Sequence, residues 1–261
     1  MLSQQSKKDI KRKLSTIYSI NYSKKKLNIY ADEIFNVINK YNKFGTKGKK
    51  IIISEKTSAL ICYGDNLLNG NKEKTLKSFR KFYKKKLENL FEIIHFLPFY
   101  PSSSDSGFAV KDHYKVDNKL GDWSDINKQS KKTNILADVV INHASSKGLW
   151  FKNFLRNKAP GKDYFLTVNK KFDTSNVVRP RENRLLKKIS IFNKDDFLWR
   201  TFSDDQIDLN FKNPKVLLRF IKIMINLANH GVSIFRLDAI AYLWKKSGSK
   251  CINLKETHEI I

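Results

Sequence analysis

An arginine and an aspartate stand two residues apart at the end of an apolar run, in the sequence Phe235-Arg236-Leu237-Asp238. If the run is a β-strand, its period of two puts Arg236 and Asp238 on one face of the sheet. A guanidinium beside a carboxylate favours the ionised form and fixes its orientation, which suits a nucleophile. The same pair could equally be a structural ion pair, because an isolated buried charge is very costly. Spacing alone leaves both interpretations open.

A second group of polar residues follows another apolar run, Asn134–Ile141. Asp138 lies inside this run, where we mainly expect a structural role, a hydrogen bond to the neighbouring strand or loop. Asn142 and His143 come directly after it, where barrel enzymes place their sites. His143 is therefore a candidate substrate ligand, although a single histidine is also commonly a buried, hydrogen-bonded group.

The short sequence Asp105-Ser106-Gly107-Phe108 combines a carboxylate, a flexible glycine and an aromatic ring. Carboxylates bind sugar hydroxyls, and aromatic rings stack on the apolar face of a sugar. The motif follows the second predicted strand, so it belongs with the other candidates at the C-terminal ends of the strands. By itself it indicates a sugar site only weakly.

Four apolar runs are typical of strands that would position these residues, namely 59–63, 91–97, 134–141 and 232–237. Amphipathic segments separate them, the first being a lysine-coated helix over 72–90. Its inner side is predicted to carry Leu76, Phe79, Phe82, Leu87 and Leu90. Nearly continuous apolar strands that alternate with helices predict an α/β fold with a parallel sheet. Four such units are about half of a (β/α)8 barrel.

The helix before the last strand is the most clearly marked. Pro214 suits a first helical position, and Gly231 suits the left-handed residue after the helix end. The buried stripe of this helix is predicted to be Leu217, Leu218, Ile221, Met224, Ile225 and Ala228. A further helix is predicted to begin near Leu254.

These patterns divide the chain into three predicted parts. Residues 1–50 read as an N-terminal helical segment, and 51–143 with 214–261 as the first part of the barrel. Residues 144–213 lack the strand–helix rhythm, and a plain loop of that length is uncommon. We therefore predict a partial (β/α)8 barrel of about four units, with an inserted domain after the third strand and an N-terminal helical extension.

The charge of the chain is strongly positive, with 51 Lys and Arg against 25 Asp and Glu and a formal net charge of +26. A basic surface can bind nucleic acid by neutralising phosphates. Here the excess is mostly Lys, spread along the chain, whereas planar phosphate recognition often favours Arg. The composition therefore disfavours nucleic-acid binding as the main function.

Several features predict a cytoplasmic protein without membrane contact. Cys62 and Cys251 are isolated in the sequence, which argues against a disulfide framework and a zinc site. No apolar stretch approaches the ~20 residues that a membrane span needs. The N-terminus is polar and basic, unlike a secretory signal.

Three blocks of the sequence resemble signatures of the α-amylase superfamily, glycoside hydrolase family 13. They are Asp138-Val-Val-Ile-Asn142-His143, Gln206-Ile-Asp208-Leu-Asn210 and Arg236-Leu-Asp238-Ala239, in the family's order and spacing. The stretch Leu97-Pro-Phe-Tyr-Pro101, together with Asp105-Ser-Gly-Phe108, more narrowly resembles the branch of sucrose phosphorylase and glucosylglycerate phosphorylase. The resemblance extends from about Ser58 to the end of the chain.

The resemblance implies roles for individual residues. Asp238 matches the nucleophile that forms a glucosyl ester, and Arg236 matches the residue that positions it. Asp105 and His143 match ligands of glucose hydroxyls, and Phe108 matches a stacking platform. The remaining implied substrate contacts are Gln206, near the same subsite, and Arg179 and Arg181, which meet phosphate or an acidic acceptor or else lie in a surface turn.

The implied mechanism is a retaining double displacement, in which two carboxyl groups about 5 Å apart act as nucleophile and general acid. Inorganic phosphate, the co-substrate, then takes the glucosyl group from Asp238 and gives α-glucose 1-phosphate. The expected partners are a small-molecule α-glucoside and phosphate, and no metal or organic cofactor is expected. The motifs do not determine the acceptor sugar or the oligomeric state.

The family's general acid, a Glu at the end of the fifth strand, is expected beyond Ile261, so the chain is predicted to be a fragment that lacks it. Glu256 and Glu259 come too early and are expected to be surface or helix-packing residues. One alternative is an amylosucrase-like or α-amylase-like hydrolase or transglucosidase. Another is an inactive fragment or a basic binding protein.

Overall fold

The computed structural model describes residues 2–44, 51–68, 70, 73–191 and 194–261. The last part of the predicted N-terminal segment, 45–50, and the first residue of the helix predicted over 72–90 therefore lie outside the described residues. The helices are α1 Gln4–Tyr18, α2 Lys24–Phe44, α3 Thr75–Phe82, α4 Trp123–Ser130, α5 Leu149–Leu155, α6 Pro214–Asn229 and α7 Lys255–Ile260. The strands are β1 Ala59–Cys62, β2 Ile93–Phe96, β3 Asn134–Val140, β4 His143–Ser145, β5 Thr167–Val168, β6 Leu186–Ile191, β7 Lys194–Trp199, β8 Gln206–Asp208 and β9 Val232–Asp238.

The chain divides into two compact units. One contains Met1–Phe44, Val140–Lys222 and Ala239–Ile261, and the other contains Gly45–Val139 and Ile223–Asp238. We call them the N-terminal-helix unit and the sheet unit. The domain boundaries predicted from the sequence remain a prediction.

A four-stranded sheet in the order β1-β2-β3-β9 forms the centre of the sheet unit. β1 pairs with β2, and β2 with β3, in parallel, with Ile61 opposite His95 and His95 opposite Leu136. The four strands occupy the predicted apolar runs, and helices separate them in the sequence as parallel pairing requires. The predicted α/β class with a parallel sheet is therefore confirmed.

The apolar run 59–63 is typical of a buried strand, and this prediction is wrong, because most of β1 is not buried. Ile61 is 63% exposed, although Cys62 beside it is buried. β1 stands at one end of the sheet order, with β2 as its neighbour. An apolar run alone does not distinguish a terminal strand from a central one, because both are rich in the same residues.

The inner side of the first helix was predicted only in part. Leu76 and Phe79 are buried, but Phe82 is 41% and Leu90 59% exposed. α3 ends at Phe82 and continues as one turn of π-helix, Tyr83–Leu87. Tyr83 is buried instead, because it lies four residues after Phe79 and seven after Leu76 and so shares their face of a regular helix, whereas Phe82 lies at the edge of that face.

α6 begins with Pro214 as predicted, and Gly231 after it has φ +93°. Its buried stripe is displaced from the predicted one, of which only Leu218 is buried. The buried side chains of α6 are Val216, Leu218, Phe220, Ile223 and Leu227. The polar residues of α6 occupy one narrow face, so its apolar residues cover a wide arc, and the helical period alone does not determine which part of that arc is buried.

In the N-terminal-helix unit, α1 packs on α2 and also meets α7. Tyr18 is fully buried on α1, and its ring lies 6.1 Å from that of Trp244. Glu259 on α7 forms a 2.8 Å ion pair with Lys13, as expected of a surface acid. The same unit contains the antiparallel pair β4-β8 and the antiparallel sheet β5-β7-β6.

Both cysteines are free and buried, and burial raises the pKa of the Cys62 thiol to about 12. Among the described residues, no helix has the length and apolarity to span a membrane.

Candidate active site

Asp238 is the last residue of β9, and Arg236 precedes it by one pleat period on the same face. Arg236 Nη2 lies 3.2 Å from Asp238 Oδ1, while Nη1 donates to Asp138 Oδ1 on the adjacent strand β3. Asp138 is fully buried, Asp238 is 17% exposed, and Arg236 is 48% exposed. The guanidinium thus bridges a buried carboxylate and a carboxylate at the end of the strand. The expected inward pair exists, but its arginine is half exposed.

Asp138 is held by the two strands beside it. Its Oδ2 lies 2.7 Å from His95 Nε2 on β2, and its backbone carbonyl accepts a 2.8 Å hydrogen bond from Tyr100. Burial raises the pKa of the Tyr100 phenol, so this group stays a hydrogen-bond donor. Asp138 therefore bonds to neighbouring elements, which is the structural role expected from the sequence.

The pKa of Asp238 is shifted in the opposite direction to the one that Arg236 alone would produce. Burial raises the pKa of Asp238 above its ordinary value of 3.8, and this outweighs the lowering by Arg236. The negative charges of Asp138 and Asp105 add to the rise. Arg236 opposes the rise without cancelling it, and its own pKa is raised because its contacts with Asp138 and Asp238 outweigh the opposing effect of burial.

Asp105 and Phe108 belong to a tight turn after β2. Asp105 and Ser106 both adopt left-handed φ values, of 56° and 48°, and Gly107 follows at φ +99°. Phe108 N–H donates to the Asp105 carbonyl at 2.9 Å, and a Cβ on Gly107 would lie 2.7 Å from the carbonyl oxygen of Pro98. These contacts hold the turn in its left-handed conformation, and the turn thereby fixes the positions of Asp105 and Phe108.

A cleft of about 530 Å³ borders the same turn in the sheet unit. Polar side chains contribute much of its lining, among them Asp65, Asp117 and Lys119. A concave, partly polar surface beside Asp105 is the kind of place where a hydroxyl-rich ligand binds.

His143 and Gln206 lie together on a pair of strands in the N-terminal-helix unit. β4 pairs with β8 so that His143 is opposite Asp208 and Ser145 is opposite Gln206. His143 is 1% exposed, and its ring centroid lies 5.2 Å from that of Phe202. Gln206 is also 1% exposed. Both predicted substrate ligands are therefore buried by protein atoms.

A buried lysine holds this strand pair to the segment that follows β9. Lys245 Nζ donates to Asp208 Oδ2 at 2.5 Å and to Asn142 Oδ1 at 3.0 Å. Asp208 also accepts from Asn142 Nδ2 at 2.9 Å and from the backbone and hydroxyl of Thr201 at 2.8 and 2.6 Å. Lys245 is 2% exposed and Asp208 is 0% exposed. This is a paired buried charge with several hydrogen bonds, as burial demands.

Arg179 and Arg181 lie in an exposed turn of the same unit. Arg179 donates to the backbone carbonyls of Arg181 and Asn183. The turn is thus closed by one of the two guanidinium groups, and Arg181 is exposed.

The sequence reasoning missed His95 and Lys245. His95 is the single polar side chain of β2, and its position beside a strand that carries Asp138 was a usable signal. Lys245 had no such signal, because it stands in a lysine-rich chain and its partners are distant in the sequence. Among the described residues, no group of three His, Cys, Asp or Glu side chains could hold a metal ion.

The fold agrees with a family match. The model of the α-amylase catalytic domain matches residues 83–260, so the chain belongs to the α-amylase family. Glucosylglycerate phosphorylase of Escherichia coli is 40% identical over 217 residues, covering 83% of this chain and 39% of that protein. Sucrose phosphorylase of Bifidobacterium adolescentis is 30% identical over 213 residues, covering 77% and 42%.

A solved structure gives the same result. Sucrose 6F-phosphate phosphorylase from Thermoanaerobacter thermosaccharolyticum superposes with a TM-score of 0.71 at 29% identity, covering 82% of this chain and 46% of that chain. This chain spans about two fifths of the length of the curated relatives it matches.

Proposed function

We propose that this chain carries the nucleophile of a retaining α-glucosyl-transferring phosphorylase. The observation behind the proposal is the bridge that Arg236 makes between buried Asp138 and Asp238 at the end of β9. In the proposed reaction, Asp238 attacks the anomeric carbon of an α-glucoside as the bond to the leaving oxygen breaks. A glucosyl ester on Asp238 results, which a second nucleophile then cleaves with net retention.

Inorganic phosphate is the proposed second nucleophile, and α-glucose 1-phosphate is the proposed product. The relatives named as phosphorylases of glucosylglycerate and sucrose support this choice and make those two glucosides the donors to test first. Arg181, exposed in its turn, is proposed to meet phosphate, with Arg179 shaping the turn. Guanidinium groups suit this task because their donors match phosphate oxygens in pairs.

Asp105 and Phe108 are proposed to bind the glucose ring, the carboxylate through hydroxyls and the aromatic ring by stacking. His143 and Gln206 are proposed as further substrate ligands. The reaction as written needs no metal or organic cofactor, and a cytoplasmic location fits phosphate as co-substrate; both remain predictions.

The nucleophile can be tested with α-glucosyl fluoride. Fluoride departs without a strong need for protonation, so the assay isolates the attack by Asp238 from general acid catalysis. We expect mass spectrometry of acid-quenched protein to find one glucosyl unit on the peptide that contains Asp238. Asp238→Asn should abolish the adduct. Asp9→Asn, which makes the same charge change at an exposed residue of α1, should leave it unchanged. An adduct on another residue, or none on the wild-type chain, contradicts the assignment.

The acceptor can be tested by adding phosphate to the glucosylated protein. We expect the ester to disappear faster with phosphate than with buffer alone, with release of α-glucose 1-phosphate. The same product is expected from sucrose or glucosylglycerate with phosphate. Release of glucose irrespective of phosphate would instead indicate a hydrolase, and transfer to a sugar would indicate a transglucosidase.

A further inference from the structure

We propose that His95 is a positioning residue that divides the guanidinium of Arg236 between Asp138 and the nucleophile Asp238. This inference rests on the proposed function, because it concerns how that nucleophile is prepared. It assigns to His95, which is buried, control over the orientation and ionisation of Asp238.

The hydrogen bond between His95 and Asp138 has a defined direction. Asp138 Oδ1 accepts from Arg236, and Asp138 Oδ2 lies 2.7 Å from His95 Nε2. Both carboxylate oxygens therefore serve as acceptors, so His95 Nε2 must carry the hydrogen. The second ring nitrogen does not take part in this bond.

The register partners of His95 on the two adjoining strands are Ile61 and Leu136, which carry no charge. Asp138 lies two residues beyond Leu136 on the same face of β3, in diagonal contact with His95. The titratable or charged groups around the ring and its partner are Asp138, Tyr100, Arg236, Asp238, Asp105 and, beside Tyr100, His113.

A carboxylate with both oxygens available binds a guanidinium through two parallel hydrogen bonds. His95 occupies Oδ2 of Asp138, which leaves Oδ1 alone for Arg236. Arg236 consequently keeps Nη2 for Asp238, at 3.2 Å. Without His95, Asp138 is expected to turn and take both ends of the fork, and Asp238 loses its cation.

The consequence falls on the ionisation of Asp238. Arg236 lowers the pKa of this carboxylate and thereby opposes burial, Asp138 and Asp105, which all raise it. Loss of the Arg236 contact raises that pKa further, so less nucleophile is ionised at a given pH. The loss also removes the hydrogen bond that orients the attacking oxygen.

The test compares His95→Leu with His95→Gln, which keeps an N–H donor, and with His230→Leu as the matched control. His230 belongs to the same unit, where its ring stacks on Trp123 at 4.3 Å. The Asp238 carboxyl is titrated by carbon NMR of aspartate-labelled protein and assigned from the Asp238→Asn spectrum. We expect an upward pKa shift for Asp238 in His95→Leu, with His95→Gln and His230→Leu close to wild type.

The rate of ester formation from α-glucosyl fluoride gives a second readout. We expect the maximal rate to fall about tenfold in His95→Leu, the scale of one lost charge-assisted hydrogen bond. The acidic limb of the pH–rate profile of His95→Leu should move to higher pH, and the α-glucosyl fluoride concentration that gives half of the maximal rate should change little. His95→Gln should recover most of the rate. A folded His95→Leu protein with unaltered Asp238 titration and rate overturns the proposal.

Two further measurements keep the test decisive. If His95→Leu does not fold, His95→Asn replaces it, because its amide is polar but too short to reach Asp138. Nitrogen NMR of the wild-type imidazole must find Nε2 protonated, and the opposite tautomer overturns the proposal without any variant. The titration needs no turnover, so a shifted Asp238 pKa in a chain that forms no ester would reject the proposed function while retaining the role of His95.

Discussion

Asp238 is subject to opposing influences on its charge. Burial disfavours the carboxylate, and the negative charges of Asp138 and Asp105 add to that effect, while Arg236 favours it. A nucleophile held in this way is less solvated than one at the surface and therefore more reactive once ionised. The same arrangement costs stability, because the folded state binds a proton more readily than the unfolded state does.

That cost has a defined pH dependence. Since the pKa of Asp238 is raised on folding, its destabilising effect is absent below the ordinary value of 3.8 and grows as pH rises through the folded-state pKa. We expect Asp238→Asn to unfold at a higher urea concentration than wild type at neutral pH. The difference should shrink as pH falls towards 3.8. Urea titrations across this pH range measure it, and a gain that stays constant with pH would contradict a raised pKa for Asp238.

The sequence was informative about Arg236 and Asp238 because residues two apart on a strand lie on the same face of the sheet, whatever the rest of the fold. It was less informative about Asp238 ionisation, which depends on Asp138 and Asp105 from other parts of the chain. His95 illustrates the limit. Its strand could be predicted, but its contact with Asp138 depends on the strand order and register.

The turn that carries Asp105 and Phe108 depends on Gly107. This glycine has φ +99°, and any Cβ would lie 2.7 Å from the Pro98 carbonyl oxygen. We expect Gly107→Ala to lower the free energy of unfolding by about 1–3 kcal/mol. Ester formation from α-glucosyl fluoride should also slow, because Asp105 and Phe108 move with the turn.

Gly70→Ala is the matched control for that change, because a Cβ on Gly70 has nothing within 4 Å. Chemical denaturation and the glucosylation rate are the measurements. Equal stability of the two alanine variants would show that the turn at Gly107 relaxes at little cost.

The strand pair β4-β8 depends on the buried charge of Lys245. Replacing it with Met leaves Asp208 buried without its cation, at a cost of about 3–5 kcal/mol. Asp208→Asn removes the charge that Lys245 neutralises, so the double variant should lose less than the sum of the single losses. Urea unfolding of the wild type, the two single variants and the double variant measures this coupling as a double-mutant cycle. Additive losses would mean that the ion pair does not couple the two residues.

Helix and strand positions were predicted well, but the buried faces of two helices were not. In α3, Tyr83 and not Phe82 continues the buried face of Leu76 and Phe79, because Phe82 lies at the edge of that face. In α6, several apolar stripes fitted the helical period, and tertiary packing selected the one that contains Ile223 and Leu227. Both errors arise because the helical period relates side chains to one another, whereas tertiary packing decides which part of an apolar face is buried.

The net charge of +26 is a property of the entire chain rather than of one patch. Some of its lysines are used within the fold: Glu73, for example, binds Lys77 and Lys81. The hydrogen bond from Lys81, then that from Lys77, lowers the pKa of Glu73 to about 2. A diffuse excess of this kind predicts binding to polyanions that depends on ionic strength and not on sequence.

We therefore expect weak binding to random DNA that is lost by about 200 mM salt. Fluorescence anisotropy with two unrelated duplexes should give the same affinity for both. Asp238→Asn should bind as wild type does, because the proposed active site is not involved. Salt-resistant or sequence-selective binding would favour the basic binding protein considered from the composition.

The overall class could be predicted because alternating apolar strands and amphipathic helices admit few arrangements. The order β1-β2-β3-β9 follows from such alternation, interrupted by one long segment between β3 and α6. The internal structure of that segment, with β4-β8 and β5-β7-β6, was not predicted. Strands β4, β5 and β8 have only two or three residues each, too few for a periodic pattern, and they pair with residues distant in the sequence.

Ala239, directly after Asp238, adopts a left-handed conformation with φ 56° and ψ 24°. Glycine and asparagine enter this region easily, whereas β-branched residues are strongly disfavoured. A library randomised at position 239 and sorted for folded protein should accordingly be enriched in Gly, Ala and Asn and depleted of Val and Ile. Deep sequencing before and after sorting measures this. The codon after that of Asp238 is thus constrained by backbone conformation, and substitutions there are selected for folding before any selection for chemistry begins.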